Sequence, residues 1–377
     1  MTFYRHFVEK KDFETIVATN SPNVVKFHLP YQPIRFDLPK WWRRLSNTRH
    51  HPWITGFQSL HGEWFLPKHV MDAASQFQPD VVFTMAGSWD WTALAARKVA
   101  KKLGVPLVAS FNDWYDYPWF RGHPAQRRAI ENRFKRFYRE ADLALCTSEG
   151  MREELGPHPN AHVWYPSGAA MPDTPLKKIC SYQSGAKSHT VLFGGSLGEW
   201  HGPMLEELVK VCMKQNLPIK FRFYGSLATW SPSFDRMARE SGIYGGHIPF
   251  EQLANEAATA DVLLLLMGFD PSAAHIQRTS FKTKFLDYLT FRRPILVWGP
   301  EYSSAIRAAR EFDSAECVTE PAADRCAKAL WNLIESKERK EQLTQNGEAM
   351  YHDRFHPDKI HHKIINEIYA LTLRKRN

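Results

Sequence analysis

The sequence lacks several features that mark whole classes of protein. Its five cysteines fit neither a disulfide framework nor a C-x2-C metal site. They are Cys146, Cys180, Cys212, Cys317 and Cys326. The longest unbroken apolar stretch, Val262–Met267, is far shorter than the roughly 20 residues that a transmembrane helix needs. The first thirty residues are charged throughout, which argues against a secretory signal. We therefore expect a protein of the reducing cytosol.

What is present is ordinary for a globular protein. Hydrophobic residues make up 44% and charged residues 24% of 377, a length that suits two domains. The net charge is +9, and residues 1–165 supply 22 basic against 16 acidic side chains. A basic half is compatible with nucleic acid, an anionic membrane or an acidic substrate. Nucleic acid is disfavoured because the sequence has no helix-turn-helix, zinc-finger spacing or RNP-like strand.

Short apolar runs alternate with longer amphipathic segments, which is typical of α/β layering around a parallel sheet. The first half is predicted to contain strands and two helices. The strands are Phe13–Ala18, Val24–His28, Val81–Met85, Leu107–Phe111, Leu143–Thr147 and His162–Tyr165, and the helices are Trp91–Leu103 and Pro124–Glu140. Before them, Tyr4–Lys11 reads as a helix where a doubly wound lobe would begin with a central strand. Either the sequence starts downstream of the true beginning or the lobe has lost its first strand, and unpaired ladders, at about 1–3 kcal/mol per buried group, favour the truncated start.

Residues 166–189 are rich in proline, glycine and serine and are predicted to be a linker. The alternation then resumes, so the sequence predicts two β/α lobes facing a central cleft, where open α/β sheets bind ligands. The predicted strands are Thr190–Gly194, Ile219–Tyr224, Gly246–Ile248, Asp261–Met267 and Pro294–Trp298, and the helices are Pro203–Gln215, Ser233–Ser241, Glu251–Thr259 and Lys282–Thr290.

A glycine-rich turn follows the first strand of the second lobe. Backbone amides at Gly194, Gly195 and Ser196 could approach a phosphate, with the next helix start adding positive potential. A plain tight turn is the alternative. The turn contains neither lysine nor arginine, so a diphosphate would have to be neutralised from elsewhere.

A second segment, residues 278–287, offers that charge. Thr279 or Ser280 could cap a helix on which Lys284 and Asp287 share one face. The cation could hold a phosphate and the carboxylate a pair of sugar hydroxyls; a solvated ion pair is the alternative.

Two loops of the first lobe follow buried strands. Asn112 and Asp113 come after Leu107–Phe111, where a carboxylate could orient an acceptor hydroxyl or act as a base. An Asx-type cap is the alternative. Gly87 and Ser88 form a similar, less distinctive loop after the preceding strand.

The first lobe also carries an aromatic and basic patch with two parts. The first part comprises Trp41, Trp42, Arg43, Arg44, Arg49, His50, His51 and Trp53, and the second the cations of the helix Arg127–Arg139. Aromatic residues interleaved with cations suit a peripheral contact with an anionic membrane. A solvated helix face and a packed loop are the alternative.

The order of these pieces resembles the GT-B glycosyltransferases, specifically retaining glycosyltransferase family 4. "QPDVVFTMAG" and "ADLALCTSEGMREELG" look like that family's first lobe, and "VLFGGSLGEWHG" like its second. The most specific segment is "TSFKTKFLDYLTFRRPILVWGP", which is similar to the family's P-S-K-L-F-E-Y-L-A-x-G-K-P-V-L. The domains implied are an acceptor-side lobe over 1–165, a nucleotide-sugar lobe over 190–350 and a tail helix over 351–377 that crosses back to the first lobe.

The resemblance implies a nucleotide-diphosphate-sugar donor, a glycan or lipid-linked acceptor, retention of configuration and no metal or other cofactor. It also implies the roles of individual residues. Gly194, Gly195 and Ser196 would lie under the diphosphate, with Lys284 neutralising it and either Lys282 or Arg278 compensating for the cations that the loop lacks. Asp287 would hold the ribose, and His247 and Ile248 would border the base. Asn112 and Asp113 would take the place of a His-Asp pair near the sugar, and Gly87 and Ser88 would lie on the acceptor side.

The sequence departs from the family at several of these points. Thr279 stands where the family has an acidic residue, and the turn after the strand lacks the usual arginine and lysine. We expect a cytoplasmic enzyme of surface polysaccharide or glycoconjugate assembly, either free or peripheral at the inner face of the membrane. Two alternatives stay open: a non-catalytic or truncated relative that binds a sugar nucleotide or glycan, and a sugar-nucleotide epimerase.

Overall fold

The computed structural model describes Phe7, Lys10 and residues 12–20, 33–87, 91–116, 120–172, 188–198 and 200–376. The chain divides into two compact units. The first unit comprises Met1–Pro166 with Ile360–Asn377, and the second comprises Ser167–Lys359. No helix in the described part of the chain is long and apolar enough to cross a membrane.

The first unit contains a four-stranded parallel sheet in the order β3-β4-β5-β6. These strands are Val82–Met85, Leu107–Phe111, Leu143–Cys146 and Ala161–Val163. A short parallel pair, β1 and β2, joins Ala18–Thr19 to Ile34–Arg35. The helices are α1 Lys40–Ser46, α2 His51–His61, α3 Lys68–Phe77, α4 Trp91–Leu103, α5 Arg127–Glu140 and α6 Glu149–Leu155, with a 3-10 turn at Gly62–Phe65.

Both faces of this sheet are covered, which explains why β4 and β5 are buried along their whole length. One face packs against Phe134, Phe137 and Tyr138 of α5. The tail helix Pro357–Arg376 contributes to the other face through a row of isoleucines spaced as on one helix face. Ile360, Ile364, Ile365 and Ile368 pack there with Val108, Leu143 and Leu145.

The second unit is built on a five-stranded parallel sheet in the order β11-β10-β9-β7-β8. The strands are β7 His189–Gly194, β8 Ile219–Tyr224, β9 Val262–Leu266, β10 Ile295–Trp298 and β11 Glu316–Val318. The helices are α7 His201–Lys214, α8 Pro232–Glu240, α9 Phe250–Ala257, α10 Ala274–Thr279, α11 Thr283–Thr290, α12 Ser304–Phe312, α13 Ala323–Glu335 and α14 Lys337–Met350, and a π-helical turn, Tyr351–Phe355, precedes the tail helix α15.

The predicted α/β class with two Rossmann-like lobes is confirmed by these sheets. Parallel sheets bind ligands in the loops at the carboxyl ends of their strands. Within the second unit the loops after β7, β9 and β10 therefore lie along one edge. The absence of a first strand from the first lobe stays a prediction.

Several predicted elements differ from the structure. The strand predicted over Phe13–Ala18 is reduced to Ala18–Thr19, and Val24–His28 lies outside the described residues. Residues 246–248 form a loop rather than a strand, because Gly246 has a φ of +75° and Pro249 occupies the cap position of the next helix. Only Tyr244, just before them, bridges to the sheet at Phe223.

The predicted helix cap at Thr279 or Ser280 is also wrong. Thr279 is the last residue of α10, and its hydroxyl donates to the carbonyl of His275 one turn back (2.9 Å). Ser280 follows it in extended backbone, and Lys282 occupies the cap position of α11 without a side-chain cap. The apolar run from Phe281 therefore begins before the helix does.

Candidate functional site

The loop after β7 is shaped by two glycines that approach each other closely. Gly195 has a φ of +141° and Gly225, after β8, a φ of +157°. A Cβ atom on Gly225 would lie 1.7 Å from the carbonyl oxygen of Gly195. Only glycine fits such an approach, so the ends of β7 and β8 form one continuous backbone surface.

Most backbone amides of this loop already donate within the protein. The amide of Gly194 donates to the hydroxyl of Tyr288 (2.8 Å) and that of Gly195 to the carbonyl of Tyr224 (2.8 Å). Leu197 donates to the carbonyl of Ser226 (2.9 Å). The prediction that Gly194 and Gly195 offer free amides to a phosphate is therefore wrong. The two glycines instead allow neighbouring side chains and backbone to pack closely against the loop.

Ser196 differs from its neighbours. Among the described residues, no acceptor lies within hydrogen-bond distance of its amide, and the residue is exposed. Its hydroxyl accepts from the amide of Gly198 (3.3 Å). Of the three backbone amides that are predicted to bind a phosphate, the amide of Ser196 remains able to donate to one.

Lys284, on the first turn of α11, lies directly on this loop. Its Nζ would lie 2.0 Å from a Cβ on Gly195, so the missing side chain of that glycine makes room for the ammonium. Nζ also lies 4.1 Å from the centre of the Phe193 ring, a cation–π distance. The structure thus brings Lys284 and the Gly194–Ser196 loop together, as predicted from the sequence.

The electrostatic environment of Lys284 is unusual. Among the described residues, no carboxylate lies within ion-pair distance of its ammonium. Burial, reinforced by repulsion from Lys282, lowers the pKa of Lys284 to about 7, and attraction by Asp287 opposes that shift. A half-buried cation without a close counterion is a site for an anion.

Asp287 lies one turn after Lys284 and holds another part of the chain. Its Oδ1 accepts from the amide of Ala169 (3.0 Å), directly after the boundary between the two units. A Cβ on Gly168 would lie 3.5 Å from the same oxygen. At least one carboxylate oxygen of Asp287 is thus committed to backbone, and its ribose role stays a prediction.

His201 was missed by the sequence reasoning and belongs to this site. It is the first residue of α7, and its Nδ1 lies 2.9 Å from the carbonyl oxygen of Ser196. Burial, with repulsion by Lys284 and Lys282, lowers the pKa of His201 to about 3, so the ring is neutral and donates from Nδ1. The only signal in the sequence is its place at the start of a helix after a glycine-rich turn.

The predicted base-binding residues lie in a loop beside this site. Gly225 donates to the carbonyl of Gly246 (2.8 Å), which places the following His247 and Ile248 next to the end of β8. His247 is exposed and Ile248 is half-buried. Their contact with a base stays a prediction.

The first unit has a separate cluster at the carboxyl ends of β3 and β4. A Cβ on Gly87 would lie 3.2 Å from the Cβ of Asn112 and 3.3 Å from the amide of Asp113. Oδ1 of Asn112 accepts from the hydroxyl of Ser110 (2.8 Å), which fixes the carboxamide. Three of the predicted catalytic and acceptor-side residues are thus adjacent, and the fourth, Ser88, lies outside the described residues.

Comparison with known proteins agrees with this architecture. The sequence model of glycosyltransferase family 4 matches residues 4–167. A comparison with curated protein sequences gives no match. Among solved structures, sucrose-phosphate synthase from Thermosynechococcus elongatus is 14% identical with a TM-score of 0.61, covering 83% of this chain and 80% of that one.

Two further structures are similar over most of both chains. A glycosyltransferase from Rickettsia africae is 13% identical with a TM-score of 0.60, covering 90% of this chain and 85% of its own. HepE from Anabaena, solved in complex with UDP, is 14% identical with a TM-score of 0.58, covering 80% and 81%. At these identities the likeness shows the fold.

The chain therefore has the GT-B fold of these structures, and the model of glycosyltransferase family 4 matches its first lobe. The resemblance identified from the sequence is thereby confirmed.

Proposed function

We propose that the second lobe binds a nucleoside-diphosphate sugar at the carboxyl edge of its sheet and that the enzyme transfers the sugar, with retention, to a glycan or lipid-linked acceptor. The reaction would serve surface polysaccharide or glycoconjugate assembly in the cytoplasm. The observation that carries the proposal is the ammonium of Lys284, held on Gly195 without a close carboxylate.

The diphosphate is the part of such a donor that suits this cation best. A phosphate oxygen near Lys284 would face an ammonium whose charge is incompletely solvated. Binding of the phosphate would therefore offset the desolvation of that ammonium. The amide of Ser196 can donate to the same group, and the start of α7 adds positive potential behind it. Lys282, two residues before Lys284, adds a second cation.

The same groups can assist departure of the nucleoside diphosphate. As the glycosidic bond to the diphosphate breaks, negative charge grows on the leaving oxygen, and fixed cations and amides stabilise it without reorganising. In this proposal, side chains and backbone amides stabilise the charge on the leaving diphosphate, and no metal is required. HepE, of similar fold, has been solved with UDP bound, which supports a nucleoside diphosphate as the ligand class.

The acceptor is proposed to meet the Asn112–Asp113 cluster of the first lobe. Asp113 follows a buried strand, and its carboxylate is of the type that orients or deprotonates a hydroxyl. Gly87 packs tightly beside it, since a Cβ on Gly87 would lie 3.3 Å from the amide of Asp113.

The test is calorimetric titration of UDP and GDP into the wild type and Lys284→Met. Methionine keeps an unbranched stem on Phe193 and removes the charge. We expect one of the nucleotides to bind, and the variant to bind about 30-fold more weakly, since a hydrogen bond to a charged group contributes about 2 kcal/mol. Lys214→Met, an exposed lysine in the last turn of α7, is the matched control and should bind like the wild type.

The proposed donor site is wrong if neither nucleotide binds the wild type, or if Lys284→Met binds as tightly. A second assay separates transfer from the other candidate functions. Release of nucleoside diphosphate from the donor only when acceptor is added indicates a transferase. Binding without release indicates a non-catalytic relative, and conversion of the donor sugar without release indicates an epimerase.

A further inference from the structure

We infer that one surface of the first unit docks on an anionic membrane. This surface, called here the α1–α2 face, comprises Lys40, Trp41, Arg43, Arg44, Leu45, Arg49, Trp53 and Trp64. The inference concerns residues outside both candidate ligand clusters and rests on no step of the proposed glycosyl transfer.

The apolar part of this face is large and exposed. Trp41 is 58% exposed, Trp53 47% and Trp64 66%, and they are the exposed tryptophans of the described chain. Leu45, four residues after Trp41 and on the same side of α1, is 45% exposed. Exposed aromatic groups concentrated within 25 residues mark an interaction surface.

Trp41 and Trp64 belong to one connected apolar surface, whereas Trp53 stacks on the ring of His123 (3.9 Å between ring centres). Trp41 packs edge-on against Trp42, whose ring lies 5.6 Å from that of Phe57. Phe57 in turn lies 5.5 Å from Trp64. Trp42 and Phe57 are only half-buried, so they support the outer tryptophans and continue the apolar surface between them.

The charge of the α1–α2 face is positive and uncompensated. No aspartate or glutamate occurs from residue 38 to residue 62. Lys40, Arg43, Arg44 and Arg49 are all exposed, and within the described chain none of them joins an ion pair. Lys40 and Arg44 are four apart and border the Trp41–Leu45 stripe.

The second part of the patch seen in the sequence behaves differently. On α5, Arg136 pairs with Glu140 (2.6 Å) and Lys135 with Glu131 (2.8 Å). Arg133 pairs with Glu63 (2.8 Å) beneath the surface. Neutralised cations attract an anionic surface weakly, so these three cations of α5 do not extend the docking face.

An anionic bilayer matches both features of the α1–α2 face at once. Tryptophan favours the headgroup region, where its ring is partly apolar and its N–H meets water. Leucine can enter the acyl boundary, while flanking arginines reach phosphates above it. A nucleic acid would satisfy the cations but offers Leu45 no apolar partner.

The test is sedimentation with vesicles of phosphatidylcholine, with and without phosphatidylglycerol, in the absence of nucleotide and acceptor. We expect the wild type to bind only the anionic vesicles. Arg43→Glu/Arg44→Glu should bind at least about 30-fold more weakly, from about fivefold for each cation removed. Trp41→Ala/Leu45→Ala should weaken binding by about tenfold or more through lost apolar insertion.

Lys101→Glu/Lys102→Glu is the matched control, because it makes the same charge change at exposed positions of α4 in the same unit. It should bind like the wild type, and circular dichroism should show all variants folded. The inference is overturned if the wild type ignores anionic vesicles, if the control variant loses binding equally, or if either face variant binds normally. Self-association or nucleic-acid binding that these variants abolish, without vesicle binding, would assign the face to another partner.

Discussion

At the scale of single residues, Lys284 links the titration of the protein to ligand binding. The pKa of Lys284 in the free protein, about 7, means that its amine is largely charged at pH 6 and largely neutral at pH 8.5. A bound diphosphate favours the charged form, so above the free-protein pKa binding must take up a proton.

We therefore predict that nucleotide affinity falls as pH rises through 7, approaching tenfold per pH unit above it. Calorimetry from pH 6 to pH 9 measures this. Because a terminal phosphate itself titrates near pH 6, the relevant quantity is the wild-type profile minus that of Lys284→Met. Parallel profiles for the two proteins would contradict the assignment.

The same lysine should reduce stability. A lysine whose folded pKa is depressed destabilises the fold below its unfolded pKa, and the cost disappears as pH rises from about 7 to 10.5. We predict that at pH 7 the free energy of unfolding of Lys284→Met exceeds that of the wild type by about 1 kcal/mol, so that the variant melts at a higher temperature while it loses nucleotide binding. A lower melting temperature would show that Lys284 is a structural cation.

His201 is predicted to position the Ser196 loop through Nδ1. Asparagine places its amide nitrogen near the position of Nδ1, whereas glutamine places it near that of Nε2. His201→Asn should therefore bind nucleotide within a few-fold of the wild type, and His201→Gln about five- to tenfold more weakly, as expected for one lost hydrogen bond of about 1 kcal/mol. Equal affinities for the two variants would mean that the histidine only fills space.

At the scale of elements, the β7 and β8 loops carry glycines for different reasons. A Cβ on Gly195 meets the flexible end of Lys284, whereas one on Gly225 meets backbone. We predict that Gly195→Ala displaces the ammonium and weakens nucleotide binding, while it lowers the free energy of unfolding by only about 1 kcal/mol, through the strain of its positive φ. Gly225→Ala should instead lower the free energy of unfolding by more than about 2 kcal/mol.

The control for this pair is Gly242→Ala. Gly242 also has a positive φ, +72°, but open space around its Cβ position, so only backbone strain of about 1 kcal/mol is expected. Denaturant unfolding of the three variants compares them directly. If Gly225→Ala loses no more stability than Gly242→Ala, the close approach is not needed.

The elements differ in how far the sequence predicts them. The strand Ile219–Tyr224 is predicted with its observed bounds because its apolar residues alternate with Lys220 and Arg222, as in a strand with one buried face. Residues 246–248 are also predicted as a strand but have the backbone of a loop, set by a glycine with positive φ. The pattern of hydrophobic residues predicts which residues are buried, but it does not predict the backbone conformation of a single glycine.

The candidate site shows a similar limit. The resemblance in the segment ending at Asp287 correctly brings Lys284 to the glycine loop. It could not show that the amide of Gly194 is taken by the hydroxyl of Tyr288, 94 residues later, because that contact depends on how α11 packs against β7. His201 was missed for the same reason: its hydrogen bond to the loop is tertiary.

At the scale of the whole molecule, the tail helix completes the first unit although it lies at the far end of the sequence. Ile364 is 2% exposed and packs with Val108 and Leu145 of the sheet. We predict that Ile364→Ala lowers the free energy of unfolding by about 3 kcal/mol, as for other large-to-small core changes. Lys363→Ala, exposed on the same helix, should change it by less than about 0.5 kcal/mol.

The account as a whole depends on where a nucleoside diphosphate binds. The most direct measurement is a crystal structure of the wild type with the nucleotide that calorimetry selects. We predict a phosphate oxygen at about 2.7–3.2 Å from Nζ of Lys284, with the amide of Ser196 turned toward the same group. A diphosphate bound elsewhere, with Nζ still on the ring of Phe193 and far from any phosphate oxygen, would contradict the account.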